Sequence, residues 1–254
     1  MADQQTKQDT YQAVYDRSMR DPEGFWGEAA EALHWDRRWD RVLDDSRVTP
    51  EAPFYSWFSG GQLNTCYNAV DRHVEHGRGD QAALIHDSPV TGGKTVITYS
   101  DLKDRVARLA GVLKGVGVGK GDRVIVYMPM VPEAAVAMLA CARIGAIHSV
   151  VFGGFSAREL ATRIDDAKPK VMVAGSCGIE PNRTVLYKPL LDAAIEVAAH
   201  KPDHCVILQR EQGPGELVPG RDLDWAVAAA DAAPADAPAA TAEQFAIATL
   251  NMEN

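Results

Sequence analysis

Several groups of residues in this 254-residue chain have the types and spacing to do chemistry. The first is Phe152-Gly153-Gly154-Phe155-Ser156, with Glu159 three residues beyond the serine. Two glycines after a β-branched run and just before a helix start place backbone N–H groups where an anion can meet them, at the positive end of the helix dipole. The commoner use of such a pair is a tight turn that binds nothing. The second group, Gly115-Val116-Gly117-Val118-Gly119-Lys120-Gly121, superficially resembles a phosphate loop. In the pattern GxxxxGK[ST], however, Lys114 stands where the first glycine belongs and Gly121 where Ser or Thr would bind Mg²⁺, and the run precedes a strand instead of following one. It reads as a helix C-terminus and a short connection. The third, Asp71-Arg72-His73, lies in a helical pattern, where neighbours diverge by about 100° each and do not converge on one substrate atom. A structural role is expected. The fourth is the set Cys66, Cys141, Cys177 and Cys205, which contains no CxxC pair and offers neither a zinc site nor a disulfide framework. Cys141 and Cys205 fall in apolar runs, as small core residues do.

These groups are positioned by a βαβαβ pattern between Asp122 and Gly175. Arg123 to Met128, Ile147 to Phe152 and Val171 to Gly175 are short β-branched runs, apolar on both faces, as buried parallel strands are. Pro132 to Arg143 reads as a helix, with Pro132 and Glu133 in its first turn, an almost wholly apolar surface, and Gly145 to end it. Ser156 to Asp166 reads as the second, opened by a Ser156/Glu159 capping box. Upstream, Ala82 to Asp87 and Thr95 to Tyr99 alternate like an antiparallel hairpin around Thr91-Gly92-Gly93-Lys94, and Ser100 is expected to cap a helix carrying Leu102, Val106, Leu109 and Leu113. Downstream, Ser176 to Lys188 reads as a polar loop containing Glu180-Pro181-Asn182-Arg183. Pro189 reads as a helix start, and Cys205 to Leu208 as a strand.

The ends of the chain differ in character from this middle. Thr10 to Val42 is polar with spaced aromatics, and Asp21 before Pro22 and Glu23 can cap a helix with one apolar face, a helical arm. Phe54 to Asn64 is an aromatic loop, with Asn64 or Thr65 opening the next helix. Ala226 to Ala242, rich in Ala, Pro and Asp, reads as a surface segment or linker. With 46% hydrophobic residues the chain can bury a large core, and its net charge of -9 argues against nucleic acid as a partner. No run approaches the roughly 20 apolar residues of a bilayer span, and the first residues lack secretory or transit character, so no membrane partner and a cytoplasmic address are expected.

The wording of four ordered segments goes further than periodicity. Phe54-Tyr55-x-Trp57-Phe58-x-Gly60-Gly61-x-Leu63-Asn64 is the first, and Tyr67-Asn68-Ala69-Val70-Asp71-Arg72-His73 the second. Gly121-Asp122-Arg123-Val124 running into Tyr127-Met128-Pro129-Met130 is the third, and His148-Ser149-Val150-Val151-Phe152-Gly153-Gly154-Phe155-Ser156 the fourth. Together they resemble the N-terminal part of the short-chain acyl-CoA synthetases, over about Tyr11 to Glu211. Ser176 to Arg183 and Tyr187 to Asp192 are more similar to propionyl-CoA synthetases than to acetyl-CoA synthetases.

The resemblance implies an α/β fold, a mostly parallel sheet with helices on both faces, preceded by a helical arm. It divides the chain into an N-terminal region (1–78), an α/β subdomain (79–211) and an Ala/Pro-rich tail (212–254). It implies an ATP-dependent, AMP-forming ligase in which a carboxylate attacks the α-phosphate of ATP and the CoA thiol then displaces AMP. This region of the family supplies part of the CoA site: by motif position Gly154 and Arg183, with Glu180, Pro181 and Asn182 beside them. Acetyl-CoA synthetases usually carry arginine where Glu180 stands, so one cation is missing here. The family's phosphate loop, adenine and ribose motifs and catalytic lysine are not found in this sequence, so no catalytic or metal-binding residue is expected, and ATP and Mg²⁺ are not expected to bind. The chain is read as a truncated N-terminal portion, inactive alone and holding CoA weakly, which self-associates or pairs with a complementary synthetase fragment. The alternative is a stand-alone, non-catalytic module that binds CoA or a partner.

Overall fold

The computed structural model describes residues 2–237 and 240–241, in two compact units. Residues 2–63 and the strand Ala240–Thr241 form one; residues 64–237 form the other. The division thus falls at Leu63/Asn64, where the sequence suggested 78/79, and residues 212–237 belong to the larger unit instead of forming a separate tail.

In the smaller unit, α1 (Ala2–Arg20) is followed by α2 (Pro22–Ala30). The Asp21 carboxylate accepts the Gly24 amide at 2.9 Å and Pro22 fills the first turn, where its missing N–H costs nothing. The aromatic stretch is partly strand: β1 (Arg41–Asp44) pairs antiparallel with β2 (Ser56–Ser59), and β3 (Gln62–Leu63) pairs with Ala240–Thr241. Trp35, Trp39 and Phe58 gather ring to ring with centroids 4.8 to 5.4 Å apart, an aromatic centre that takes the place of an aliphatic core.

The larger unit opens with a helical segment whose Asn64 side chain accepts the Tyr67 amide at 3.0 Å, and which carries π-type turns at Tyr67–Asp71 and Val74–Arg78. The hairpin β4 (Ala82–Ser88) and β5 (Gly93–Thr98) leads into α3 (Tyr99–Gly115). The cap of α3 is Thr98, two residues before the expected Ser100, because Thr98 and Asp101 satisfy each other's backbone amides in a capping box. Then come β6 (Arg123–Met128), α4 (Pro132–Ile144), β7 (Ile147–Phe152), α5 (Ala157–Ala167) and β8 (Val171–Gly175), with the three strands at the residues the sequence indicates. Gly145, at φ 72°, ends α4 in the left-handed conformation that only glycine adopts without strain. Beyond lie β9 (Cys177–Glu180), β10 (Arg183–Leu186), α6 (Tyr187–Val197), β11 (His204–Leu208), β12 (Asp222–Asp224) and α7 (Trp225–Asp231).

The sheet runs β12-β11-β8-β6-β7 with every pair parallel. Alternate residues face opposite layers. Val124, Val126, Val171, Val173 and Val206 pack toward α3, α4 and α7; Ile125, Tyr127, Met172, Cys205 and Ile207 pack toward α5 and α6. Two expectations need correction here. Ser176 to Lys188 is not a loop: β9 and β10 form a hairpin with Glu180 paired to Arg183, and α6 starts at Tyr187, two residues before Pro189. Proline within the first helical turn is equally free of a missing bond. Residues 222–231 are not a linker either but a sheet strand followed by a capped helix, because Asp224 accepts the Ala226 and Val227 amides and Trp225 is buried; the end of the expected linker lies outside the described residues.

Arg143, at the end of α4, is the buried joint of this unit. Its guanidinium makes two bonds to Asp71, at 2.7 and 2.9 Å, and its Nε donates to the Ala235 carbonyl at 2.6 Å. It thereby ties the first helical segment, α4 and the chain after α7 together. The structural role expected for Asp71 is the one observed.

Candidate functional site

At the carboxyl ends of β6 and β7 lies a cavity of about 790 Å³. In parallel α/β sheets this end is where helix N-termini and connecting loops converge, and ligands bind there. The cavity is bordered by the β4–β5 hairpin, by Met128 to Val131, by the turn at Gly153 and Gly154, and by Glu180 of β9. A second cavity, of about 900 Å³, lies between the end of α3 and α7, its apolar lining interrupted by Lys114 and by Asp222, Asp224 and Asp231.

The Gly-Gly turn is held from two sides. The Phe155 amide donates to the Phe152 carbonyl at 3.1 Å, and the buried Tyr127 hydroxyl donates to the Phe155 carbonyl at 3.0 Å. Neither glycine has a positive φ, so the need for glycine comes from space. A Cβ on Gly153, and likewise one on Gly178, would run into the Tyr187 hydroxyl; the tyrosine is seated between the two glycines. A Cβ on Gly154 would lie 2.6 Å from the Phe152 ring, which is exposed and has room to turn. Ser156 caps α5 by accepting the Glu159 amide at 3.4 Å, half of the expected capping box.

Of the residues assigned to the CoA site by motif, Gly154 and Glu180 line the cavity; Pro181, Asn182 and Arg183 do not. Pro181 and Asn182 form the exposed tip of the β9–β10 hairpin. Arg183 is on the next strand, its Nε 2.7 Å from the Glu180 carboxylate. That guanidinium holds the Glu180 carboxyl below the usual carboxylate range, and the carboxylate raises Arg183 in turn. Both side chains are largely solvated, so the pair is weak and can open toward an incoming anion.

The remaining charges of the cavity are two arginines that sequence reasoning passed over. Arg163 of α5 and Arg210, just after β11, both line it and both are half-buried. Arg210 donates from Nη1 to the Cys177 carbonyl at 3.0 Å, and Arg163 makes no ion pair among the described residues. The carboxylates of the lining are already engaged, Asp87 by Lys94 at 3.2 Å and Glu180 by Arg183. No local signal marks Arg163 or Arg210 in the sequence, since a single arginine on an amphipathic helix usually serves the solvated face.

Thiol chemistry is excluded by burial. All four cysteines are buried, and burial pushes Cys66 up to about 11 and Cys141 and Cys205 up to about 12, far from the thiolate needed for nucleophilic attack. Among the described residues no cluster of ligating side chains suits a metal, and no helix is long and apolar enough to cross a membrane.

Comparison with known proteins gives the geometry a context. AMP-binding enzymes match over residues 70–248, and the acetyl-coenzyme A synthetase N-terminus over residues 11–69. The chain is 53% identical over 218 residues to the mitochondrial acyl-CoA synthetase short-chain family member 3 of Rattus norvegicus, covering 85% of this chain and 31% of that protein. It is 45% identical over 217 residues to a propionate–CoA ligase of Salmonella typhimurium, covering 85% and 34% respectively. The solved structure of acetoacetyl-CoA synthetase from Streptomyces lividans superposes with a TM-score of 0.77 at 26% identity, over 91% of this chain and 34% of that one. The chain thus spans about a third of the length of the relatives it matches.

Proposed function

We propose, from the premise that this chain belongs to the AMP-binding enzyme family, that it is the N-terminal part of an ATP-dependent, AMP-forming short-chain acyl-CoA synthetase acting on propionate or acetate in the cytoplasm. Its share of the work is to provide one side of the CoA site. The observation that carries this reading is the cavity at the carboxyl ends of β6 and β7, which brings the Gly-Gly turn beside the hairpin bearing Glu180 and Arg183.

The residues fit the nucleotide end of CoA in kind. The Gly153–Gly154 turn precedes the N-terminus of α5, where backbone N–H groups favour an anion. Arg183, released from Glu180, offers a planar fork that matches a phosphate. Pro181 keeps the hairpin tip short and stiff, and Asn182 adds an amide at its rim. CoA bound there would supply the thiol that displaces AMP. This chain's residues would anchor the far end of the molecule and so fix where the thiol reaches. Adenylation itself needs preorganised charge on the transferring phosphoryl group, which the family's phosphate loop and lysine provide and no motif of this sequence does.

Assay of the purified 254-residue chain for carboxylate-dependent pyrophosphate exchange with ATP is expected to give background only. Calorimetric titration with CoA is expected to show weak binding that Arg183→Ala weakens further. Exchange that survives rigorous purification overturns the division of labour; equal CoA binding by both proteins removes Arg183 from the site.

A further inference from the structure

We propose that Arg163 and Arg210 form a separate anion-binding wall of this cavity, which holds a phosphate of a phosphorylated nucleotide independently of the Glu180–Arg183 pair. The proposal rests on the CoA reading only for which nucleotide is bound.

The cavity is lined by two carboxylates and two guanidiniums. Its two carboxylates each have a cation: Asp87 faces Lys94 and Glu180 faces Arg183. Among the described residues neither of its two guanidiniums is paired with a carboxylate. Arg210 spends one N–H on the neutral Cys177 carbonyl, and Arg163 forms no ion pair among the described residues. Positive charge left over in a concave, partly desolvated space is stabilised when an anion enters, and guanidinium groups suit phosphate oxygens geometrically. The contrast with the surroundings strengthens this. Counted with Lys94 and Arg183, which neutralise the two carboxylates from outside the lining, the cavity is locally positive in a chain of net charge -9, and its field draws small anions.

The arginines come from different elements, so they can converge on one ligand from two sides. Arg163 projects from the middle of α5, and Arg210 stands at the carboxyl end of β11, its amide fixed by the Ser176 hydroxyl at 2.9 Å. The same lining carries apolar side chains: Ile85, Val150 and Phe152 are exposed large residues bordering the cavity. Apolar and cationic side chains in one lining suit a ligand with a flat base at one end and phosphate at the other. Arg183 lies outside this lining and is paired with Glu180, so it makes a contact separate from the wall.

The test is calorimetric titration of the 254-residue chain with adenosine 3′,5′-bisphosphate, adenosine and CoA, at two salt concentrations. Wild type is expected to bind the bisphosphate and to bind adenosine at least about tenfold more weakly. Arg163→Gln/Arg210→Gln should weaken bisphosphate binding about tenfold to a hundredfold and flatten its salt dependence, while the Lys/Lys variant restores most of it. Arg158→Gln, an exposed change on the same helix, serves as the charge control and should match wild type. Arg163→Gln alone breaks no ion pair among the described residues and keeps the test valid if the double variant unfolds. Bisphosphate binding unaffected by the arginine variants overturns the wall, as does wild type that ignores the bisphosphate. If CoA binds no better than adenosine while the bisphosphate binds through the arginines, the CoA reading falls and the wall stands.

Discussion

Replacing Asp71 by leucine puts the sharpest strain on the buried joint at Arg143. The two side chains are each 5% exposed, and two charge-assisted bonds join them. Leucine removes the carboxylate and leaves the guanidinium with neutral partners only, the Ala235 carbonyl at 2.6 Å and the Cys66 sulfur at 3.5 Å. An uncompensated buried charge costs about 3–5 kcal/mol. With a slope of about 2 kcal/mol per molar urea, the unfolding midpoint should fall by about 1.5–2.5 M. Arg143→Met should cost less, about 2–3 kcal/mol, because the Lys103 ammonium stands 3.5 Å from Asp71 and partly neutralises what is left. The double variant exchanges an ion pair for two apolar side chains of similar size and loses the bond to Ala235, so it should lie only about 1–2 kcal/mol below wild type. Urea unfolding of the four proteins, followed by tryptophan fluorescence, measures all three differences. A loss below about 1 kcal/mol for Asp71→Leu, or single effects that simply add in the double variant, would refute the reasoning.

The glycine turn should be unequal in its tolerance: Gly153→Ala, which meets the Tyr187 ring, should cost about 1–3 kcal/mol, whereas Gly154→Ala, which meets only the exposed Phe152 ring, should cost under about 1 kcal/mol. Thermal melts of the two variants compare them directly, and equal costs would mean that Tyr187 is not fixed between its glycines. Asp222 should limit stability in acid. Burial alone would raise its carboxyl, but bonds from Arg221, the Val218 amide and Lys188 outweigh burial and hold it below 3.8. A depressed carboxyl contributes stability above its ordinary value, lost as pH falls through the folded one. The urea midpoint should therefore drop below about pH 4, and Asp222→Asn should lower stability at neutral pH while flattening that acid limb. A series of urea titrations from pH 7 to pH 3 checks both parts.

The strands β6, β7 and β8 are legible to the residue because a parallel strand covered on both faces writes its whole length in β-branched side chains. The hairpin β9–β10 is not, since its apolar content is low and its turn, Pro181-Asn182, looks like any loop. The strand Asp222-Leu223-Asp224 is the extreme case. Nothing local marks it as strand, and it is secured by residues distant in sequence: Asp222 pairs with Lys188 at 3.0 Å, and Cys205 is its neighbour in register. The Ala-rich helix after it resembles a linker because small side chains suffice where it and the residues just beyond it pack on α3; a Cβ on Gly111 would strike the carbonyl of Ala233, two residues past the helix end. At the candidate site the motif residues Gly154 and Glu180 are recoverable from wording, whereas Arg163 and Arg210, 47 positions apart in sequence, come to line one cavity only in the folded chain.

The all-parallel sheet also constrains the order in which the protein can be made. None of its strand pairs joins partners nearer in sequence than Cys205 and Asp222, and the central pair matches Val124 with Val171. Each pairing must close a long loop before it gains anything in return, unlike the β4–β5 hairpin, which can zip from its turn. During synthesis β6 and β7 leave the ribosome well before β8 exists to flank them. For that interval Val124 to Met128 is an apolar strand with one neighbour, open to association with other chains until β8 arrives to cover its second edge.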